Sequence, residues 1–308
     1  MLRELTIVYR EGRRELNNFY MAVRLVAALR FLLFPNTLFQ FYSMQITKKL
    51  CNPTTHDPLY FLVHTYYLSK RFTLRQRLQS AMNHHEYEFK QYSTEYARLI
   101  YRSDGILLWQ RSVDHHNFAM VLIATEDNRY EGDLSVIFSV DNTRLCRMSF
   151  CYLNAKVFGL TSYTTMLISR NQTDRTPGRD LFNQCFKQNT PQFFCLAAVC
   201  GIAMTNEFET VLAIKHDAQI AYDRTFDSGF RNSYTALWEK FDAVEIDRHV
   251  YKLNVPLKVR PLQSVDRVHR ARARKRRKYW DDIMQSARSA MIKYRLASES
   301  RAKDVIQA

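Results

Sequence analysis

The sequence predicts an α+β protein in three parts. A helical N-terminal region covers residues 1–104, a core with an antiparallel or mixed sheet covers residues 105–258, and a long basic helix covers residues 259–308. Apolar residues recur at three- and four-residue steps in the first part, short apolar runs separated by turn residues follow in the second, and helical spacing returns in the third. With 308 residues, 46% of them hydrophobic, the chain can bury a large core.

The first part is expected to be mainly helix. Leu16, Phe19 and the apolar residues that follow them lie on one helical face, and Pro35 ends that segment. Further helices are predicted over residues 59–70 and 73–100.

The apolar stretch from Phe19 to Phe34 is not predicted to cross a membrane. Arg24 and Arg30 interrupt it, and each charge would cost about 3 kcal/mol at the centre of a bilayer. The same charges argue against a secretory signal, so a cytoplasmic location is expected by default.

The middle part is predicted to form successive strands of a sheet, because its apolar runs are short and are separated by turn residues such as Asp141 and Asn142. The predicted strands are Ile106–Trp109, Phe118–Ala124, Leu134–Val140, Leu145–Leu153 and Tyr163–Ser169. After them come a helix over residues 179–204 interrupted at Pro191, a strand at Thr210–Ile214, a helix over residues 218–241 broken at Gly229, and a strand within Val244–Leu253.

A single helix is predicted for the end of the chain. Ser264 is expected to be its N-cap, and Trp280, Ile283 and Met291 lie at helical spacing on a face that can dock on the body or on a partner. The first half carries charge on every face, so it is expected to project into water or onto an anion.

The charge of this first half is the most informative feature of the sequence. Nine basic residues and one acid lie between Arg260 and Lys278, so eight of the fifteen net positive charges fall there. Such a run attracts an anionic membrane leaflet, an anionic protein or the phosphates of nucleic acid, and no recognised nucleic-acid module accompanies it. The predicted anion-binding residues are Arg270, Arg272, Arg274, Lys275, Arg276, Arg277 and Lys278.

Neither a metal site nor a disulfide framework is predicted. The six cysteines show no C-x-x-C spacing, so free and mostly buried thiols are expected. His84 and His85 are adjacent, and adjacent residues on a helix point about 100° apart, so they are expected to be surface or hydrogen-bonded histidines. Glu131 and Asp133 are expected at a solvated strand entry, with acid/base work as the alternative.

One loop indicates a cofactor. Residues 175–180 follow a predicted strand and open a predicted helix, a place where backbone N–H groups can hold a pyrophosphate. The loop resembles the acyl-CoA-binding loop of the acetyltransferase (GNAT) superfamily, and the order of strands, loop, helix and strand is similar as well. That resemblance implies acyl-CoA as cofactor, held by Arg175, Gly178 and Arg179. Asp180 departs from the pattern and would repel phosphate.

Several segments in fixed order also resemble the VirK/YbjX family of Gram-negative bacterial proteins. The segments are His84–Tyr87, Glu131–Ser135, Arg144–Phe150, Leu237–Phe241 and Lys275–Lys278. This resemblance implies an association with virulence, with proper display of surface virulence proteins, and with envelope adaptation that includes tolerance of cationic antimicrobial peptides.

The chain departs from that family in two places. Residues 170–173 stand where the family has a Leu-Gln-Gly element, and residues 187–191 stand where it has His-Gly-Leu-Arg-Pro. The family has no secure biochemical activity, so the resemblance carries over no catalytic residue.

Three functions are therefore open. The first is an accessory factor, cytoplasmic or peripheral at the inner membrane, that supports virulence and envelope homeostasis by binding an anionic partner or a client protein. The second is an acyl-CoA-dependent acyltransferase that acts on lipid or protein. The third is a nucleic-acid-binding protein that uses Arg270–Lys278.

Overall fold

The computed structural model describes residues 66–125, 131–174, 177–259 and 261–296. The helices in these residues are α1 (Leu74–Gln91), α2 (Thr94–Arg102), α3 (Gly178–Cys185), α4 (Pro191–Thr205), α5 (Asp227–Ser233), α6 (Thr235–Glu239) and α7 (Arg267–Ile292). The strands are β1 (Ile106–Val113), β2 (His116–Ala124), β3 (Leu134–Val140), β4 (Thr143–Asn154), β5 (Thr164–Thr173), β6 (Thr210–Ile214), β7 (Val244–Asp247) and β8 (Val250–Asn254). The predicted helix that ends at Pro35 lies outside the described residues.

The eight strands form one mixed sheet in the order β1-β2-β3-β4-β5-β6-β8-β7. All neighbours are antiparallel except β5 and β6, which are parallel and share two register pairs, Leu167 with Leu212 and Ile168 with Ala213. The predicted α+β class is confirmed, and each of the six strands predicted between Ile106 and Ile214 is present.

Two tight hairpins fix the register of the first four strands. Asp114 and His115 join β1 to β2, and Asp141 and Asn142 join β3 to β4, each with a positive φ between 46° and 66°. Two consecutive residues with positive φ are typical of two-residue hairpin turns that match the twist of the strands. Asp and Asn tolerate this conformation, which explains why Asp141-Asn142 could be predicted as a turn.

Helices α4 and α7 cover one face of the sheet. Helix α4 is apolar on all sides, as expected for a helix in the centre of a core. It begins at Pro191, which is favoured at a first helical position. Helix α7 packs against it at Gly201, where a Cβ atom would lie 2.4 Å from the carbonyl oxygen of Met284.

A smaller apolar cluster lies on the other face. Tyr67, Phe72 and Met82 pack there with Cys151 and Leu167, which point away from the α4 side. The described part of the predicted helix over residues 59–70 is wrong, because it is a bend with a bridge between Tyr67 and Ser69. The demand for apolar cover on this face outweighs the local helical pattern.

Further boundaries differ from those predicted. The helix predicted over residues 73–100 is two helices, α1 and α2, separated at Tyr92 and Ser93. The helix predicted over residues 218–241 begins only at Asp227, and its break falls at Tyr234 and not at Gly229, which lies inside α5. The N-cap of α7 is Asp266 and not Ser264, whose hydroxyl donates instead to the carbonyl of Pro261. The region Val244–Leu253 holds two short strands in place of one. Each difference involves short, partly exposed segments, where local propensity is weak.

Candidate functional site

Helix α7 has two unlike halves. From Trp280 onwards the residues that face the body are buried, namely Trp280, Ile283, Met284, Ala287 and Met291, so the predicted docking of this half is confirmed. Before Trp280 the only buried residue of the helix is Ala273. The first half of α7, Arg267–Lys278, is called the cationic half below.

Polar bonds hold the docked half in place. Asp282 accepts a hydrogen bond from the indole of Trp109 at 2.9 Å, and the hydroxyl of Ser286 donates to the carbonyl of Leu108 at 2.7 Å. Because β1 is an edge strand, this second bond satisfies a backbone carbonyl that has no neighbouring strand. The base of the cationic half is therefore fixed relative to the sheet.

Four side chains of the cationic half have no acid of the described chain to neutralise them. Arg272, Arg274, Lys275 and Lys278 are exposed and form no ion pair with a described carboxylate. Arg270 folds back, but onto the backbone carbonyls of Val265 and Gln263 at 2.8 and 3.0 Å. Arg276 and Arg277 are partly buried.

Aromatic rings and apolar side chains flank this charge. Val268, which lies within the cationic half, is 78% exposed, and Val259, which precedes the helix in the chain, is 37% exposed. Three cations lie over aromatic rings at this end of the helix, namely Arg276 over Trp280 at 5.4 Å, Arg111 over Tyr279 at 5.2 Å and Lys240 over Phe193 at 5.8 Å from the ring centroids. The surface thus combines positive charge with apolar and aromatic groups.

A second concentration of charge is buried on the face of the sheet opposite to α4 and α7. Arg170 forms an ion pair with Glu131, Gln219 donates to the same carboxylate at 2.7 Å, and the hydroxyl of Tyr67 donates to Asp133. Burial raises the pKa of the Glu131 carboxyl above its usual value, and the nearby Arg170 guanidinium partly offsets this rise. The expected solvated strand entry is wrong, because Glu131 and Asp133 are both buried.

A row of hydroxyl groups continues this polar region across neighbouring strands. Ser135 shares hydrogen bonds with Thr125 at 2.7 Å and with Ser149 at 2.8 Å, and Ser169 donates to the carbonyl of Ser149 at 3.4 Å. All four side chains are buried. The carboxylates and this row together are called the buried polar centre below.

The histidine pair on α1 also lies inside the molecule. His84 Nε2 is 3.2 Å and His85 Nδ1 is 3.8 Å from Glu88 Oε2, and Tyr96 donates to the other carboxylate oxygen at 2.8 Å. The ligand atoms of His84, His85 and Glu88 lie within 4.8 Å of one another. The expectation that adjacent histidines diverge is wrong here, because the two rings use different nitrogens to approach one carboxylate.

Hydrogen bonding, and not metal binding, accounts for the orientation of His84. The backbone N–H of Tyr152 donates to His84 Nδ1 at 3.2 Å, so Nδ1 carries no proton and Nε2 carries one. A protonated Nε2 lies 3.2 Å from Glu88 Oε2 and has no lone pair for a metal. His84 therefore serves the backbone of β4, which extends beyond the start of β3 and leaves Tyr152 on an open edge.

The predicted cofactor loop is only partly described. Gly178 and Arg179 are the first two residues of α3, whereas Arg175 lies outside the described residues. Arg179 is exposed, and Asp180 places a negative charge in the first turn, where it opposes phosphate binding.

Strands β5 and β6 pair only at Leu167 and Ile168 of β5, and other parts of the chain contact β5 beyond them. The backbone N–H of Asn171 donates to the hydroxyl of Tyr234 at 3.1 Å, and its side chain donates to the carbonyl of Ser233 at 2.7 Å. Acyl-CoA as cofactor stays a prediction.

Two of the segments that carried the family resemblance meet in this structure. Glu131–Ser135 and Arg144–Phe150 are joined by the hydrogen bond between Ser135 and Ser149, and His84 of a third segment bonds to β4 at Tyr152. Residues 18–289 match DUF535, a family described as a protein of unknown function. The chain belongs to the DUF535 family.

The DUF535 match includes both the buried polar centre and the cationic half of α7, and the VirK/YbjX family is the DUF535 family. Neither a curated protein nor a solved structure matches the chain, so the acetyltransferase likeness stays a prediction. Among the described helices of this DUF535 protein, none combines the length and the hydropathy that a bilayer crossing requires.

Proposed function

We propose that this DUF535 protein binds an anionic membrane surface through the cationic half of α7. Through this binding it acts as an accessory factor in the display of surface virulence proteins and in envelope homeostasis, the roles that the VirK/YbjX resemblance implies. The observation that carries the proposal is a set of exposed cations with no carboxylate partner in the described chain, on a helix whose other half is docked.

The energetics favour a membrane surface. A basic residue near an anionic leaflet contributes about 1 kcal/mol, so the four exposed cations Arg272, Arg274, Lys275 and Lys278 contribute about 4 kcal/mol together. The helix is already formed and anchored, so little conformational entropy is lost on binding. Val259 and Val268 can enter the interface beside these charges, whereas a nucleic-acid backbone offers exposed valines no apolar partner.

The test is sedimentation with vesicles of phosphatidylcholine that contain about 30% phosphatidylglycerol, at low and at physiological salt. The native chain is expected to bind these vesicles and not vesicles of phosphatidylcholine alone. The variant R272E/R274E/K275E/K278E is expected to lose at least about a thousandfold in affinity, because the loss of about 4 kcal/mol is about a thousandfold and the new carboxylates are also repelled.

A matched control keeps the total charge change constant. The variant R71E/R75E/K156E/R248E reverses four exposed cations that lie outside α7, and it should bind within about threefold of the native chain. Equal losses in the two variants would show that only net charge matters. Tighter binding to a duplex of DNA or RNA than to the vesicles, at the same salt concentration, would favour nucleic acid and overturn the proposal.

A further inference from the structure

The base of the cationic half differs from its exposed tip. Arg276 is partly buried, its guanidinium lies over Trp280, and its Nε atom is buried with no hydrogen-bond acceptor among the described residues. Burial and the adjacent Arg277 both lower the pKa of Arg276. A buried N–H of a charged group without an acceptor is costly, so this position is improved by an anion.

Aromatic packing fixes the position of Arg276. The indole N–H of Trp280 donates to Asn189 at 3.0 Å, and Phe193 and Phe241 contact the Trp280 ring edge to face at 5.4 and 5.7 Å. The guanidinium that stacks on Trp280 therefore rests on a ring that is held from three sides.

Two further groups around the same rings can donate hydrogen bonds. Lys240 places its ammonium over Phe193, and Thr190, next to Asn189, has a buried hydroxyl with no partner among the described residues. Thr190 is the N-cap residue of α4, yet its side chain makes no capping hydrogen bond. The neighbouring acid Glu239 is turned towards Tyr251, whose hydroxyl donates to it at 3.3 Å.

We infer that Arg276, Lys240 and Thr190 form a binding site for a phosphate group at the base of the cationic half. A phosphate offers several acceptor oxygens, which can accept from a guanidinium, an ammonium and a hydroxyl at once. The inference deepens the proposed function and rests on it, since a lipid headgroup would supply the phosphate at a membrane. Free phosphate or a soluble phosphate ester has the same chemistry.

A specific phosphate site and general electrostatics predict different rankings of the Arg272 and Arg276 variants. If only surface charge mattered, the exposed Arg272 would contribute at least as much as the partly buried Arg276. With a specific site, R272Q is expected to weaken binding to phosphatidylglycerol vesicles about fivefold, and R276Q at least tenfold more than that. R276K should be as weak as R276Q because it lacks the planar fork, whereas R272K should bind like the native chain.

A second readout does not depend on membranes. The Nε–H signal of Arg276, assigned in a ¹⁵N spectrum by its absence in R276K, should shift when inorganic phosphate is added and not when chloride is added at equal ionic strength. A thermal melt of R276Q and R276K confirms that both variants fold.

The outcomes separate the inference from the proposed function. A signal shift together with the larger loss in R276Q supports phosphate recognition from either source, and the larger loss without a shift assigns the phosphate to a lipid headgroup. Equal losses in R276Q and R272Q with no shift overturn the site while vesicle binding stands. If the native chain binds no vesicles, the proposed function fails, and the phosphate titration alone tests the site. A shift of the Arg276 signal then supports a site for free phosphate, and no shift overturns the site.

Discussion

Substitution of Gly201 by Ala tests whether close packing of α4 against α7 anchors the cationic half. An added Cβ at Gly201 would lie 2.4 Å from the carbonyl oxygen of Met284 and 2.8 Å from the Cβ of Ala287. Neither atom can rotate away, because one belongs to the backbone of α7 and the other is directly attached to it. Carbon contacts are comfortable at about 3.5 Å, so the two helices would have to separate by about 1 Å.

The cost follows from two opposing effects. Overpacking of a close-packed core costs about 1–3 kcal/mol, whereas Gly to Ala inside a helix gains about 1 kcal/mol. G201A is therefore expected to lower the free energy of unfolding by up to about 2 kcal/mol, measured by urea denaturation with circular dichroism. The rate of amide hydrogen exchange in α7 should rise in the same variant, because the docked half loses packing.

Gly229 supplies the matched control. It also lies inside a helix, α5, but no atom lies within 4 Å of an added Cβ there. G229A should therefore keep only the gain in helix propensity and be more stable by up to about 1 kcal/mol. If G201A proves as stable as G229A, the close approach of the helices does not anchor α7 and the reasoning fails.

Two further predictions concern the buried polar groups. Y234F removes the acceptor of the Asn171 N–H and should cost about 1–3 kcal/mol in urea denaturation; no loss would show that another acceptor is available. The pKa of Glu131 is raised above its ordinary value of 4.5, so its contribution to stability is full below that pH and is lost as the pH rises through the folded pKa. E131Q does not titrate, so its free energy of unfolding relative to the native chain should rise as the pH increases above 4.5, and a constant difference would contradict this.

Much of the sheet could be predicted because its information is local. The alternation of β2, the turn pair Asp141-Asn142 and the apolar run after Pro191 each fix one element without reference to distant residues. The same local reasoning gave the docked face of α7, since Trp280 and the buried residues that follow it recur at helical spacing.

The buried polar centre could not be predicted in this way, because its partners are distant in sequence. Asp133 is bonded to Tyr67, 66 positions earlier, and Glu131 is bonded to Gln219, 88 positions later. A carboxylate beside Gly132 in isolation is most simply expected in water, since burial without partners is unfavourable. Only the folded sheet brings Arg170 next to Glu131, and this ion pair allows the carboxylate to be buried.

The histidines of α1 depend on a feature of the sheet that no local pattern contains. Strand β3 begins at Leu134 opposite Phe150, so β4 continues as an open edge through Tyr152 and needs an acceptor there. His84 supplies it, and this explains one of the polar positions that α1 buries, beside Arg77, Ser80, His85 and Glu88.

The buried polar centre and the cationic half of α7 therefore have different roles. Substitutions in the first should change stability, and substitutions in the second should change vesicle binding. Changes in the buried polar centre remove internal partners, so E131Q should alter unfolding and leave vesicle binding unchanged while the chain is folded. Changes at exposed cations remove no internal partner, so R272Q should weaken vesicle binding and leave the free energy of unfolding unchanged within about 0.5 kcal/mol. If E131Q, tested well below its melting temperature, loses vesicle binding as R272Q does, the buried centre acts on the ligand itself and the division of roles argued from burial is wrong.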